Sequence, residues 1–282
     1  MDINIRGSLY PLDRPAIMGI VNVTPDSFFA SSRTPDESSI IERASKMLAD
    51  GADMLDLGGY SSRPGADEVM PQEEFRRLSL GIRAIRSRFP DVVISVDTFR
   101  AEVARRCVEE LGADIINDIS GGDLDPDMFA TVASLGVPYI LMHMRGNPET
   151  MQSLCGYGDV AAEVLSDLAR KEARLREMGV CDIIIDPGFG FAKDLEQNYR
   201  LMGALASFRA LGCPLLVGVS RKSMIFKLLG VTPQEALNGT TVLNTVALLS
   251  GANILRVHDV KEAAECRAIV ESLRKATPSL SL

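Results

Sequence analysis

Tryptophan is missing from the 282 residues, all aromatics together make up 5%, and only two histidines occur. A core for a chain of this length must therefore come from Val, Ile, Leu, Ala and Met. With two histidines and no His/Cys group at metal-ligand spacing, a zinc centre is not expected. The five cysteines (Cys107, Cys155, Cys181, Cys213 and Cys266) are odd in number and form no CxxC pair. That pattern fits reduced thiols and not a disulfide framework. No apolar run approaches the roughly 18 residues of a membrane span, and the N-terminus is charged at its second residue with no apolar segment behind it. The expectation is a cytoplasmic chain, neither secreted nor membrane-spanning. Positive charge is not in surplus either. Against 38 acidic residues stand 30 basic ones, a net charge of −8 that argues against a nucleic-acid or anionic-membrane surface.

Short apolar, β-branched runs recur along the chain: AIMGIVNVT from 16, MLDLGG from 54, VVISVDT from 92, DIINDIS from 114, PYILMHM from 138, DIIIDPG from 182, PLLVGVS from 214 and ANILRVHD from 252. They are apolar nearly throughout instead of alternating, as strands covered on both faces of a parallel sheet must be. Segments with helical spacing lie between them, among them those starting at 38, 73, 101, 159 and 261. Most run into a glycine suited to a left-handed helix end (Gly51, Gly112, Gly136, Gly179, Gly212 and Gly251). No GxGxxG follows the first strand, which disfavours an open doubly wound sheet. Eight strands with intervening helices predict an α/β fold, a (β/α)8 TIM barrel, occupying 1–282 as one domain. The first 15 residues read as a short N-terminal hairpin that plugs the bottom of the barrel.

Barrel enzymes work from the C-terminal ends of their strands, and here every such end is polar. In order they carry Asn22 to Phe28, Gly58 to Gly65, Asp97 with Thr98, Asn117 with Asp118, His143, Asp186 to Phe191, Ser220 to Ser223, and Arg256 with His258 and Asp259. Singly, each has an ordinary explanation. Asp97 or Asp186 could cap a helix, Asn117 could stabilise a turn, and Arg221 or Lys222 could be a surface charge. Phe28, Phe189 and Phe191 could be packing residues, and His143 reads as structural. Eight polar ends together predict a site. Two carboxylates, an Asn and a Lys suit a flat heterocycle. Asp186 would accept a fork of N–H and NH2 from an aminopyrimidinone edge, and Lys222 would meet a carbonyl oxygen. Arg256 and His258 share a face by strand alternation and, with Asn22, suit phosphate oxygens. A hard cation held mostly by phosphate and one side-chain oxygen is the Mg2+ habit.

NVTPDSF from 22, GGYSSRPGA from 58, SVDTF from 95, NDISGG from 117, DPGFGFAK from 186, GVSRKS from 218 and ILRVHDV from 254 resemble, in order and spacing, the dihydropteroate synthase family. These are enzymes that condense a dihydropterin pyrophosphate with 4-aminobenzoate in folate biosynthesis. The resemblance spans essentially the whole chain. It implies a transferase whose catalytic residues are Asn22, Asp97, Lys222, Arg256 and His258, with Asn22 as the Mg2+ ligand. The pterin pocket it implies comprises Asp97, Asn117, Met142, Asp186, Gly218 and Lys222, and the pyrophosphate site Asn22, Arg256 and His258. Phe28, Ser62, Arg63, Pro64, Phe191 and Ser223 would border 4-aminobenzoate. A homodimer and sensitivity to sulfonamides, which mimic 4-aminobenzoate, are also implied.

The sequence departs from the family where Tyr60 replaces a common Glu, Ser62 a common Thr, and Phe29-Ala30-Ser31-Ser32 the usual Ser-Asp-Gly-Gly. Two other readings share the pocket. One is a methyltetrahydrofolate–corrinoid methyltransferase type, which needs no pyrophosphate clamp and is disfavoured by Arg256, His258 and the Ser220–Ser223 loop. The other is a non-catalytic pterin-binding homologue.

Overall fold

The eight apolar runs become eight parallel strands. They are β3 (Ala16–Asn22), β4 (Met54–Gly58), β5 (Val93–Asp97), β6 (Ile115–Asp118), β7 (Tyr139–Met142), β8 (Ile183–Asp186), β9 (Leu216–Val217) and β10 (Ile254–Val257) in a computed structural model that describes residues 1–24, 37–60 and 69–276. The sheet runs in the order β8-β7-β6-β5-β4-β3-β10-β9. A parallel bridge between Ile185 and Leu215 joins its two ends, with the Ile185 N–H donating to Pro214 O at 2.8 Å. That bridge closes the barrel, so among the described residues the eight-stranded sheet has no free edge.

Nine helices wrap the strands among the described residues: α1 (Glu37–Ala49), α2 (Pro71–Arg88), α3 (Ala101–Leu111), α4 (Met128–Leu135), α5 (Val160–Glu177), α6 (Leu195–Gly203), α7 (Ser223–Leu229), α8 (Leu237–Leu249) and α9 (Val260–Ala276). Local chemistry sets their ends. Asp159 accepts from the backbone of Ala161 and Ala162 to start α5, and Asp194 forms a capping box with Gln197 at α6. The six glycines expected at helix ends all have positive φ. None of the described helices is long and apolar enough to cross a membrane.

Strand alternation divides the core in two. Outward residues such as Ile17, Leu55, Val96, Leu141 and Leu255 pack under the helices in one large cluster. Inward residues Met18, Met54, Val93, Ile115, Ile140, Ile184, Leu216 and Ile254, one from each strand, form a separate apolar floor. The N-terminal hairpin of β1 (Asp2–Ile5) and β2 (Ser8–Pro11), with Ile3 opposite Tyr10, closes that floor from below. Ile3, Ile5 and Leu12 belong to the floor cluster, so the hairpin is the expected plug. Two residues further along, on the same inward face, five of the eight strands turn polar. That step places the site.

Candidate active site

The polar layer begins with Asp56, Ser95, Asn117, Asp186 and Arg256, each two positions beyond a floor residue of its own strand. Gly218 follows Leu216 at the same step, and Met142 follows Ile140. One further step up stand Asn22, Gly58, Asp97 and His258. Backbone register ties them together. Asn22 pairs with Gly58, Gly58 with Asp97, Asp97 with Asn117, and, across the barrel wall, Met142 with Asp186. A methyl group on Gly58 would lie 3.6 Å from Asn22 Oδ1 and 3.8 Å from Asp97 Cβ, so those side chains flank the glycine at the barrel mouth.

Arg256 sits at the centre of this layer. Its Nε donates to Asp56 Oδ2 and its Nη2 to Asp97 Oδ2, both at 2.6 Å. Asn117 Nδ2 donates to the same Asp56 oxygen at 3.1 Å. The guanidinium that was expected to lie with His258 on a phosphate is therefore turned toward two carboxylates inside the barrel. The reason is electrostatic: buried carboxylates are costly without a cation. Asp56 is the residue that sequence reasoning missed. Its signal was an acid in the middle of the otherwise apolar run MLDLGG. Asp56 Oδ1 and Ser95 Oγ, on register-partnered residues, are buried without a hydrogen-bond partner among the described residues.

Three carboxylates (Asp56, Asp97 and Asp186) thus face two cations (Arg256 and Lys222). Burial pushes Asp97 up to about 7, against the pull of Arg256 and with repulsion from Asp56 adding to it. Burial also raises Asp186, while Lys222 draws it back. Lys222 falls to about 8, chiefly through burial, with Asp186 opposing the change. Its Nζ donates to Phe189 O at 2.5 Å and lies 4.7 Å from the centre of the Phe191 ring. Asp186 Oδ1 accepts the Gly188 N–H at 2.8 Å. Gly218 faces the same space: a methyl group there would come within 4.0 Å of Lys222 Nζ and 3.8 Å of Arg256 Cβ. Ser223 opens α7 directly after Lys222.

His258 donates its backbone N–H to Ser220 Oγ at 3.2 Å, and burial, with Arg256 and Arg43 nearby, drags its imidazole down to about 4. Arg43, on α1, was not singled out from the sequence; it donates to Ile20 O at 3.3 Å and is itself lowered by burial. Arg221 is a brace and not a ligand group, since it grips Asp259 through Nε at 2.9 Å and Nη2 at 2.8 Å. Asp118 points outward and builds a loop, accepting from Ser120, Gly122 and Tyr139. Phe189 is fully buried core. Tyr60 packs edge-on against Phe99, ring centres 5.4 Å apart, under the guanidinium of Arg100. Phe28, Ser62, Arg63 and Pro64 lie outside the described residues.

A closed barrel with a ring of carboxylates, amide and cations inside its mouth defines an enzyme for a small polar heterocycle. The sequence profile of the pterin-binding enzymes matches residues 18–258. The chain is 44% identical over 278 residues to dihydropteroate synthase of Escherichia coli strain K12, covering 98% of each. It superposes on the crystal structure of Yersinia pestis dihydropteroate synthase with a sulfonamide drug complex at a TM-score of 0.91 and 40% identity, covering 98% of this chain and 100% of that one. Dihydropteroate synthase of Xanthomonas albilineans, solved with 4-aminobenzoic acid, gives a TM-score of 0.89 at 36% identity, covering 97% and 98%. The chain belongs to the pterin-binding enzyme family. Within it the chain groups with the dihydropteroate synthases, which are transferases, and not with the methyltransferase alternative.

Proposed function

We propose that this protein condenses 6-hydroxymethyl-7,8-dihydropterin pyrophosphate with 4-aminobenzoate, giving 7,8-dihydropteroate and pyrophosphate. The observation that carries the reading is the polar layer itself: the carboxylates Asp56, Asp97 and Asp186 outnumber the cations Arg256 and Lys222 by one, and Asp56 Oδ1 has no donor among the described residues. A pterin edge supplies the missing N–H groups. Asp186 would accept its NH and NH2 in a fork, Asn117 and Asp97 would meet ring nitrogens, and Lys222 would hold a carbonyl oxygen or ring nitrogen. Met142, buried at the end of β7, gives the ring an apolar neighbour.

In the reaction the methylene carbon–oxygen bond breaks and its electron pair leaves with pyrophosphate. The electron-rich ring delocalises the positive charge left on the methylene. The arylamine nitrogen then forms the new bond and releases a proton to pyrophosphate or water. An arylamine is neutral at pH 7, so the protein's task is placement more than deprotonation. His258, one inward step beyond Arg256, would meet the pyrophosphate oxygens; Arg256, held by Asp56 and Asp97, would add positive charge from the inner layer, and Arg43 adds charge beside His258. Phe191 and Ser223, next to Lys222, would border 4-aminobenzoate, with Phe28, Ser62, Arg63 and Pro64 completing that side.

No group of three or more acidic, His or Cys side chains that could hold a metal occurs among the described residues. Asn22 Oδ1 at the mouth offers one neutral oxygen. That donor set fits a Mg2+ ion bound mainly by pyrophosphate and water. When bound, Mg2+ would neutralise charge on the leaving group.

The same reading includes a homodimer. Leu228 and Leu229 on α7, Val242 and Val246 on α8, and Ile269 and Leu273 on α9 are exposed on successive packed helices, a surface that a second copy would cover. Sulfonamides would compete with 4-aminobenzoate. Incubation with both substrates and Mg2+ should release pyrophosphate in step with dihydropteroate; folded protein that binds pterin but releases none would overturn the reading. Sedimentation of the wild type beside Val242→Glu checks the dimer, which the substitution should split.

A further inference from the structure

Beside the polar layer, three acceptors converge on one buried ammonium that no part of the mechanism above uses. Lys193 is 3% exposed. Its Nζ donates to Gly188 O and to Phe191 O, each at 2.9 Å, and lies 3.1 Å from Nδ1 of His143, which is also buried. An ammonium has three N–H donors, and here all three have a partner. Among the described residues no carboxylate lies within ion-pair distance of it, so Lys193 is not half of a structural salt bridge. With Lys193 as the ammonium, His143 presents Nδ1 as acceptor and carries its proton on Nε2; burial brings Lys193 down to about 7, with Asp186 opposing the change. Burial, with Lys193 beside it, holds the ring neutral by dragging it down to about 2.

The segment that this ammonium grips is Gly188 to Phe191. It is tied at several points: Gly190 N–H donates to Asn198 Oδ1 at 2.7 Å and Phe191 N–H to Gly188 O at 3.1 Å, and Lys193 adds the side-chain donor to the Gly188 and Phe191 carbonyls. Gly188 has φ +71° and a Cβ there would strike the carbonyl oxygen of His143, while Ala192 has φ +49°, unfavourable for a residue with a side chain. The segment is also what Lys222 leans on, through the Phe189 carbonyl at 2.5 Å and the Phe191 ring at 4.7 Å. Asp186, by contrast, is fixed by β8.

We propose that Lys193 is a positioning residue for the reaction: by tying the Gly188 and Phe191 carbonyls to His143, it sets where the Phe191 ring and the Lys222 ammonium stand against the arylamine substrate. The inference rests on the proposed condensation and adds to it a residue that touches neither substrate. An apolar side chain at 193 would fill the space but leave the Phe191 carbonyl without its donor and Gly188 O with the Phe191 N–H alone, and the segment would move to find another donor.

Steady-state kinetics and pterin titration on the wild type, Lys193→Met, His143→Leu and His143→Gln test it. Gln keeps an acceptor for Lys193; Leu does not. In Lys193→Met and His143→Leu the KM for 4-aminobenzoate should rise roughly tenfold, the scale of a small misplacement of a reacting group. The pterin Kd should change less than about threefold, because strand-borne Asp186 and Asn117 stay in place. His143→Gln should recover most of the wild-type KM. An unchanged 4-aminobenzoate KM, equal behaviour of the Gln and Leu variants, or equal losses in pterin and 4-aminobenzoate binding would each overturn the positioning role. Should Lys193→Met fail to fold, the His143 pair decides alone. The wild type separates the two claims. If it makes no dihydropteroate the functional reading falls, whereas an active wild type with indifferent variants removes only Lys193.

Discussion

The floor of the barrel and its mouth are built from the same eight strands on the same inward face, two residues apart. At the floor, Met18, Met54, Val93, Ile115, Ile140, Ile184, Leu216 and Ile254 make an apolar plate closed by the hairpin. At the mouth, Asp56, Asn117, Asp186 and Arg256 make a polar layer in which Asn117 and Arg256 both bond Asp56 across the barrel. Such a layer would be unstable alone, with one carboxylate too many and an acid pushed up to about 7. It persists because the plate beneath and the closed hydrogen-bonding wall leave its side chains nowhere else to go. Stability thus resides in the lower layer and chemistry in the upper one, and substitutions should separate them.

The largest effect should come from the floor. Ile184→Ala leaves a cavity in a fully buried site and should lower stability by about 3 to 4 kcal/mol in denaturant unfolding. Pterin Kd in the folded protein should stay within about twofold. A large loss of affinity at native conditions would show that the layers are not separable. One step up the same strand, Asp186→Ala should do the reverse. Pterin affinity should fall by about 2 to 3 kcal/mol, roughly a hundredfold, by stranding the ligand's donors. Stability should change little or rise, since a buried carboxylate is removed. Titration calorimetry and thermal melts on the pair read both halves of the contrast.

Asp56→Asn sharpens the comparison within the mouth. It keeps the shape and the acceptor facing Asn117 but removes one of the two charges on Arg256. Pterin affinity should drop about tenfold. The titration of Asp97 should also move down, because its like-charged neighbour is gone. A carboxyl signal from Asp97 that does not shift between wild type and variant would mean the two acids do not share the guanidinium.

How much of this was legible in the sequence follows from what kind of signal each feature leaves. The strands announced themselves because a doubly covered strand is apolar at both parities, and the plug because it precedes the first such run. Helices α4, α6, α7 and α8 were not singled out. MFATVASL in α4 is too apolar to show a face, α7 has seven residues, and LNGTTVLNTVALL in α8 mixes Gly and β-branched residues that favour other structure. Within the site, Asp97, Asn117 and Asp186 were readable because they stand at strand ends, and Lys222 because it lies in the polar loop between β9 and α7. Asp56 was hidden inside one. The ion pairs of Arg256 join residues 200 and 159 positions apart, and no local pattern encodes such contacts. Lys193 stood in a quoted motif, but its three acceptors exist only once β7 and the segment after β8 lie side by side.

The smallest effect concerns His258, at the outer rim of the mouth, and tests where the charged layer ends. Its ordinary value of 6.5 is lowered to about 4 by burial and by Arg256, so the imidazole is neutral in the empty protein at pH 6. The unfolded chain takes up a proton at higher pH than the folded one does. The stability that His258 contributes is therefore present above about pH 6.5 and lost as the pH falls toward about 4. A pyrophosphate beside it reverses the balance: an adjacent anion favours the imidazolium. Binding of a pyrophosphate-bearing pterin at pH 6 should thus take up a fraction of a proton, and its affinity should weaken as the pH rises through the bound-state value. Calorimetry in two buffers of different ionisation enthalpy measures that uptake directly. Pterin without pyrophosphate should show almost none, and His258→Asn should abolish it for both. Equal uptake for the two ligands would place the titrating group in the inner layer with Asp97 and not at the rim, and His258 would then lose its assignment to the leaving group.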